Sequence, residues 1–224
     1  VKTIPRTLVF DLVWLAVAGL LLFLPAGTFN YSQAWVFLLV VALSGWIPGI
    51  YLLRTNPVAL ERRRRAGPIA ETRMMQKAII AGWYLALAAI IVVSALDHRF
   101  GWSPVSTAIC LAGDVLVAVG VGVVMLVTIQ NSYAAATVRV EADQKLVSSG
   151  LYRLVRHPMY TGNVIMMVGI PLALGSYWGL GLVIPGLIVL ALRIRDEERL
   201  LQEELDGYRE YTQKVRYRLV PCMW

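Results

Sequence analysis

Long apolar stretches with almost no charge in them constrain this chain more than any other feature. Leu8–Leu24 is apolar apart from Asp11, Trp35–Leu53 and Ala78–Leu96 are uncharged, and Val105–Ile129 carries a single acid, Asp114. Val164–Leu192 is also uncharged but is broken near its middle by Pro171, Gly175 and Ser176. A helix needs about 20 apolar residues to cross the hydrocarbon core, so the first four stretches read as membrane spans. The fifth is too long for one helix and short for two, and it reads as a hairpin over 160–192 with tilted or shallow arms. The expected fold is all-α and integral to the membrane, with about six transmembrane helices. Composition points the same way: 58% of residues are hydrophobic and 16% charged, against about 45–50% and about 25% in soluble domains. That balance argues against a soluble enzyme and against a disordered chain. Lys2 and Arg6 precede the first stretch as in a signal peptide. The Pro25–Gln33 connection runs straight into another span without a dominant small-x-small site, so the stretch is read as a span.

The basic residues sort the connections into two groups. Lys2 and Arg6 precede the first span, and the second connection holds Arg54, Arg62, Arg63, Arg64, Arg65, Arg73 and Lys77. Arg139, Lys145, Arg153 and Arg156 follow the fourth span, and everything from Arg193 onward is basic-rich. With six crossings, all of the 21 Lys and Arg except Arg99 fall on one side, together with both termini. By the positive-inside rule that side is cytoplasmic. The net charge of +7 is thus mainly a topology signal, reinforced by attraction to anionic headgroups rather than directed at nucleic acid. The run Arg62–Arg65 is read in the same way, as a topology anchor or lipid-headgroup patch. Cys110 and Cys222 have no metal spacing and form no disulfide framework.

Two polar segments on the basic side flank the hairpin, 131–163 and 193–224. They divide the chain into a four-helix N-terminal region, 1–130, and a C-terminal region, 131–224, where an aqueous cosubstrate would meet a membrane substrate. Gly150 punctuates the first segment, and Pro158 turns His157 away from helical angles while suiting the first turn of the next helix. Arg156-His157-Pro158 therefore opens a helix at the membrane surface, where free N–H groups favour an anionic group. On residue chemistry alone, Arg156 and His157 as interfacial anchors and Tyr160 as an aromatic-belt residue account for this segment better than a ligand site does. In the second segment Arg193 and Glu197 share a helix face at the membrane boundary. The helix is expected to continue amphipathically through Leu200, Leu201 and Leu205, with Tyr208 and Tyr211 extending its face toward Val215.

The string L-V-S-S-G-L-Y-R-L-V-R-H-P-M-Y-T-G (Leu146–Gly162) resembles the signature of the isoprenylcysteine carboxyl methyltransferase family. So do R-x-x-x-E-E-x-x-L (Arg193–Leu201) and G-Y-x-x-Y-x-x-x-V (Gly207–Val215), in the same order and with the same hydrophobic hairpin between the blocks. The resemblance covers about residues 131–217. It implies S-adenosylmethionine as cosubstrate, held at the cytoplasmic surface. Gln144, Lys145, Leu146 and Val147 would contact it, largely through backbone. Tyr152, His157, Pro158, Met159 and Tyr160 would continue the wall, and Glu197 would close it. Arg193 would bind the methyl acceptor, which makes Arg193 and Glu197 the implied catalytic pair. Eukaryotic members have His where this chain has Gln144, and Asn131 and Thr137 are weaker cofactor candidates.

Methyl transfer is an in-line displacement on a cationic sulfonium, so it depends on positioning and charge management. A carboxylate acceptor needs orientation but no base, and an Arg193 guanidinium fork would suit it. An amine or thiol acceptor would have to lose a proton, to His157 or, failing that, to Glu197 or Glu198. The expected reaction is methylation of a lipophilic or small acceptor in or on the bilayer, with a prenylcysteine-like carboxylate favoured. A phospholipid amine, a thiol, or a sterol-type reductase chemistry are the alternatives. Gly120-Val121-Gly122 is read as close helix packing rather than a nucleotide loop. Met166 and Met167 are expected to line the hairpin's packing surface. Asp114, an intramembrane acid, invites a buried polar partner.

Overall fold

A computed structural model describes residues 3–65, 73–134, 144–221 and 224, with side chains from Asp11 onward and those of 63–65 excepted. The helices are α1 (Thr3–Ala26), α2 (Ser32–Thr55), the short α3 (Pro57–Arg65), α4 (Met74–Phe100), α5 (Thr107–Gln130), α6 (Pro158–Ala173), α7 (Trp178–Gly181), α8 (Val183–Glu204) and α9 (Tyr208–Lys214). A single 3-10 turn, Gly150–Arg153, lies between α5 and α6. No strand occurs among the described residues. Among the described residues four helical stretches are long and apolar enough to cross a membrane: α2, α4, α5 and α7–α8. Asp11–Ala26 of α1 and all of α6 are shorter apolar helices. The stretch 160–192 holds most of α6, all of α7 and the first turns of α8, with Pro171 inside α6 and Gly175 and Ser176 between α6 and α7.

The packing suits lipid rather than water. Only 17% to 33% of the apolar windows in the four long stretches is buried inside the protein. Their outer faces carry Ile47, Leu85 and Ile184, each about two-thirds exposed. Such a continuous apolar exterior is untenable for a soluble monomer.

Inside the bundle, α5 and α6 meet backbone to backbone along a glycine seam. A methyl group on Gly120 would stand 2.6 Å from the Gly162 carbonyl oxygen and 2.8 Å from Met166 Cβ. A methyl group on Gly162 would stand 2.8 Å from the Gly120 carbonyl oxygen. Gly113 repeats the arrangement against Leu172–Ala173, and Gly169 against Gly113 itself. Small residues at seven-residue spacing on both helices permit this approach, the usual route to tight helix association in lipid. Gly122 is different: open space surrounds it. Met167 is fully buried in the main core, as its place in the hairpin suggests, with Met166 packed at the core's edge. The Asp114 carboxylate oxygen Oδ1 is buried with no hydrogen-bond partner among the described residues.

The two ends of the bundle are chemically distinct. At one end Asp97 is buried and accepts from the Ser103 amide (2.8 Å), the Ser103 hydroxyl (2.6 Å) and the Ser176 hydroxyl (2.5 Å). Tyr31 donates to the Leu174 carbonyl at 2.6 Å and stacks on His98, so the α1–α2, α4–α5 and α6–α7 connections are laced together here. The opposite end gathers the polar segments that follow α5 and α8.

The C-terminal helix departs from the sequence expectation. α8 does not run on to Val215 but ends at Glu204, and α9 starts afresh at Tyr208 after a turn at Gly207. Gly207 has φ +78°, a left-handed conformation available to glycine at little cost. The turn swings Tyr208 and Tyr211 inward, where both are buried. The segment after α9 then runs under the start of α6: the Arg156 and His157 amides donate to the Tyr217 and Arg218 carbonyls, each at 2.9 Å. The Thr161 hydroxyl donates to the Leu219 carbonyl at 2.7 Å.

Candidate active site

At this polar end the loop before α6, the start of α6, the outer turns of α8 and α9 enclose a cleft of about 790 Å3, counted out to its open mouth. Gln144, Lys145, Leu146 and Val147 form one wall; Tyr152, His157, Pro158, Met159 and Tyr160 form a second; Glu197 stands on a third. Asn131 lines it as well, whereas Thr137 lies outside the described residues. Arg193 is not in the cleft wall. It lies one helical turn behind Glu197, 6% exposed, and donates from Nε to the Tyr160 hydroxyl at 2.7 Å. Tyr160 in turn donates to Glu197 Oε2. The expected i,i+4 pair of Arg193 and Glu197 is therefore joined through a tyrosine hydroxyl from α6.

Glu198 organises the second wall. It is 4% exposed, with Arg156 Nε at 3.0 Å, His157 Nε2 at 3.3 Å and Arg218 Nε at 2.8 Å. Burial alone would raise its carboxyl, but the hydrogen bonds of His157 and Arg218 and the positive charges around it hold it below the usual range. Glu198 lies on the polar extension of α8, beyond the apolar stretch that ends at Leu192. His157 faces carboxylates from both ring nitrogens, since Glu197 Oε1 lies 4.0 Å from Nδ1. Its ring is therefore held between two acids rather than directed at an incoming proton donor.

The remaining lining adds Ala134, Arg156, Leu200, Leu201 and Leu205, together with three tyrosines that were not singled out as cofactor-binding from the sequence. Tyr133, Tyr208 and Tyr211 face the cleft beside Tyr152. Tyr152 accepts from the Asn131 amide at 3.1 Å, and Tyr211 donates to the Tyr152 carbonyl at 2.7 Å. Burial pushes the Tyr152 hydroxyl up to about 12; the Asn131 hydrogen bond opposes the shift and the Glu197 charge adds to it. Burial likewise raises Tyr208 and Tyr211. The Tyr208 hydroxyl is 3% exposed as a residue and has no hydrogen-bond partner among the described residues. A buried phenol without a partner costs free energy, which a ligand bonded to it would recover. The G-Y-x-x-Y spacing of Gly207–Tyr211 could have flagged this pair, and the acid beside Glu197 could have flagged Glu198. Arg218 has no comparable sequence signal, because only the fold brings it to Glu198.

A bundle of apolar, lipid-facing helices with a cleft at one polar end is the architecture of an integral-membrane protein. Residues 108–206 match the phospholipid methyltransferase family model. The match begins in α5 and ends beyond α8, so it contains the hairpin and most of the cleft. A delta(14)-sterol reductase of Mus musculus is 34% identical over 95 residues, which is 39% of this chain and 22% of the reductase. The chain thus spans about a fifth of that relative's length. The solved structure of the eukaryotic intramembrane Ras methyltransferase, isoprenylcysteine carboxyl methyltransferase, is similar at 17% identity with a TM-score of 0.49, over 96% of this chain and 85% of that one.

Proposed function

We propose that this protein transfers the methyl group of S-adenosylmethionine to a lipophilic or small acceptor at the cytoplasmic membrane surface, with a carboxylate acceptor favoured. The observation that carries this reading is convergence. The ten residues that the resemblance implies for the cofactor come from two polar segments separated in sequence by an apolar stretch, and they line one cleft at the polar end of the bundle. The cleft's chemistry fits the cosubstrate. Glu197 offers a partly exposed carboxylate to a sulfonium or ammonium, the tyrosines offer flat faces to a purine, and the partnerless Tyr208 hydroxyl offers a hydrogen bond. When bound, S-adenosylmethionine supplies an electrophilic methyl group on sulfur, which departs as a neutral thioether.

The side chains then divide the work. Glu198 fixes Arg156 and His157 as a rigid wall, and Tyr160 connects Glu197 in the cleft to Arg193 behind it. Arg193 orients the acceptor where the membrane boundary meets the cleft. A carboxylate acceptor suits a site whose histidine is held between two acids, because it needs no proton acceptor. Transfer of isotopically labelled methyl to a panel of S-prenyl cysteines, phospholipids and thiols by the purified protein tests the proposal. Failure to bind S-adenosylmethionine at millimolar concentration would refute it.

The local similarity to a sterol reductase supports a second reading, reduction of a lipid with a nicotinamide cofactor. Parallel titrations separate the two. Binding of reduced nicotinamide cofactor without binding of S-adenosylmethionine would favour the reductase.

A further inference from the structure

Behind Arg193 a second polar group reaches it from the N-terminal region, where no motif points. Gln76, in the first turn of α4, is completely buried. Its Oε1 accepts from Arg193 Nη1 at 3.3 Å, and its Nε2 donates to Asp196 Oδ2. Asp196 is in turn paired with Arg73 at 2.9 Å. The side chain of Gln76 is thus clamped between a guanidinium and a carboxylate. An amide, with an acceptor at one end and a donor at the other, serves both. On the opposite flank, the Tyr160 hydroxyl makes the same kind of neutral bridge between Arg193 and Glu197. Two carboxylates therefore approach Arg193, and on each of these two sides a neutral group stands between.

We infer that Gln76 is a positioning residue that sets the charge preference of the acceptor subsite: it orients the Arg193 guanidinium and holds the Asp196 carboxylate one hydrogen bond away from it. The inference rests on the reading of Arg193 as the contact of an anionic acceptor and adds the residue that sets this preference. A carboxylate at position 76 would pair directly with Arg193 in a buried setting and compete with an anionic acceptor. It would also stand against Asp196. An apolar side chain of similar length would remove the orientation while adding no charge.

The test compares the wild-type protein with Gln76→Glu and Gln76→Met, in detergent or bilayer nanodiscs. The probes are N-acetyl-S-decylcysteine, its methyl ester, and S-adenosylmethionine. Expected for Gln76→Glu is a KM for the free carboxylate raised at least tenfold, with kcat within about threefold of wild type. Direct binding should lose its preference for the carboxylate over the ester by a similar factor, while affinity for S-adenosylmethionine stays within twofold. Gln76→Met should weaken carboxylate binding less than Gln76→Glu does. An unchanged carboxylate preference in Gln76→Glu overturns the inference. So does an equal loss of S-adenosylmethionine, carboxylate and ester binding, which would make Gln76 merely structural. The binding arm separates this inference from the transfer reaction. If the wild-type protein prefers carboxylate to ester, and Gln76→Glu abolishes the preference, while no methyl is transferred to any acceptor, then the methyltransferase reading fails and the role of Gln76 stands. A wild-type protein with no preference for the carboxylate overturns the inference outright.

Discussion

Two glycines on the same helix, two residues apart, should respond to the same substitution with opposite signs. At Gly122 a new methyl group meets nothing within 4 Å, so Gly122→Ala removes only the conformational freedom of glycine. In a helix interior that stabilises by roughly 0.5–1 kcal/mol, with less expected where lipid already favours helix in the unfolded reference. At Gly120 the same methyl group stands 2.6 Å from the Gly162 carbonyl oxygen and 2.8 Å from the Met166 backbone nitrogen. Backbone cannot yield as a side-chain tip can, so α5 and α6 must separate. Overpacking of this kind costs about 1–3 kcal/mol, which outweighs the propensity gain. The two variants should therefore differ by about 2 kcal/mol in unfolding free energy, with Gly120→Ala below wild type and Gly122→Ala at or above it. Reversible unfolding in mixed micelles, followed by tryptophan fluorescence, measures the difference. Gly162 lies two residues beyond Tyr160 on α6, so Gly120→Ala should also weaken cosubstrate binding as the start of α6 shifts. Equal destabilisation by the two variants would refute the seam.

Three further outcomes are expected. Tyr208→Phe removes a buried hydroxyl that has no partner among the described residues, so the ligand-free protein should keep or slightly gain stability while S-adenosylmethionine affinity falls about five- to tenfold, the worth of one hydrogen bond; an unchanged dissociation constant in calorimetry would remove Tyr208 from the site. Asp97→Ala deletes three hydrogen bonds at the opposite end and should cost about 2–3 kcal/mol in unfolding free energy, with cosubstrate affinity retained in the folded fraction. Tyr152 ionises near 10 when unfolded and at about 12 in the fold. The folded state thus disfavours its phenolate, and the stability it contributes is complete below about 10 and lost as pH rises toward 12. Tyr152→Phe should flatten this part of the alkaline unfolding profile, and a profile as steep as wild type would contradict the assignment.

Much of the architecture was legible because apolar stretches in a membrane protein must become helices, there being no water to satisfy exposed backbone. Val164–Leu192 even announced its turn through Pro171, Gly175 and Ser176. What the sequence pattern missed were contacts between distant segments. Leu200, Leu205, Tyr208 and Tyr211 fit one continuous amphipathic face, and only the left-handed turn at Gly207 shows why they instead fold over a cleft. Glu198 looked interchangeable with Glu197, yet one is clamped by Arg156, His157 and Arg218 while the other takes a tyrosine hydroxyl in the cleft. Gln76 carried no signal at all, because a lone glutamine at the start of a span is unremarkable until Arg193 and Asp196 are brought to it. The cleft residues were legible as a motif, but the link from Tyr160 through Arg193 to α4 depends on the α4–α8 packing, which no local pattern encodes.

The central claim is that the cleft holds S-adenosylmethionine and presents its methyl group to an acceptor. Its most direct test is a single-turnover experiment with methyl-labelled S-adenosylmethionine and the purified protein in nanodiscs, supplied with an S-prenyl cysteine or another lipophilic carboxylate. The account predicts saturable binding of the cosubstrate and label appearing in a base-labile ester, with Glu197→Ala abolishing the binding and Arg193→Ala abolishing the transfer while leaving cosubstrate bound. Absence of cosubstrate binding by the wild-type protein, or label transfer untouched by both substitutions, would contradict it.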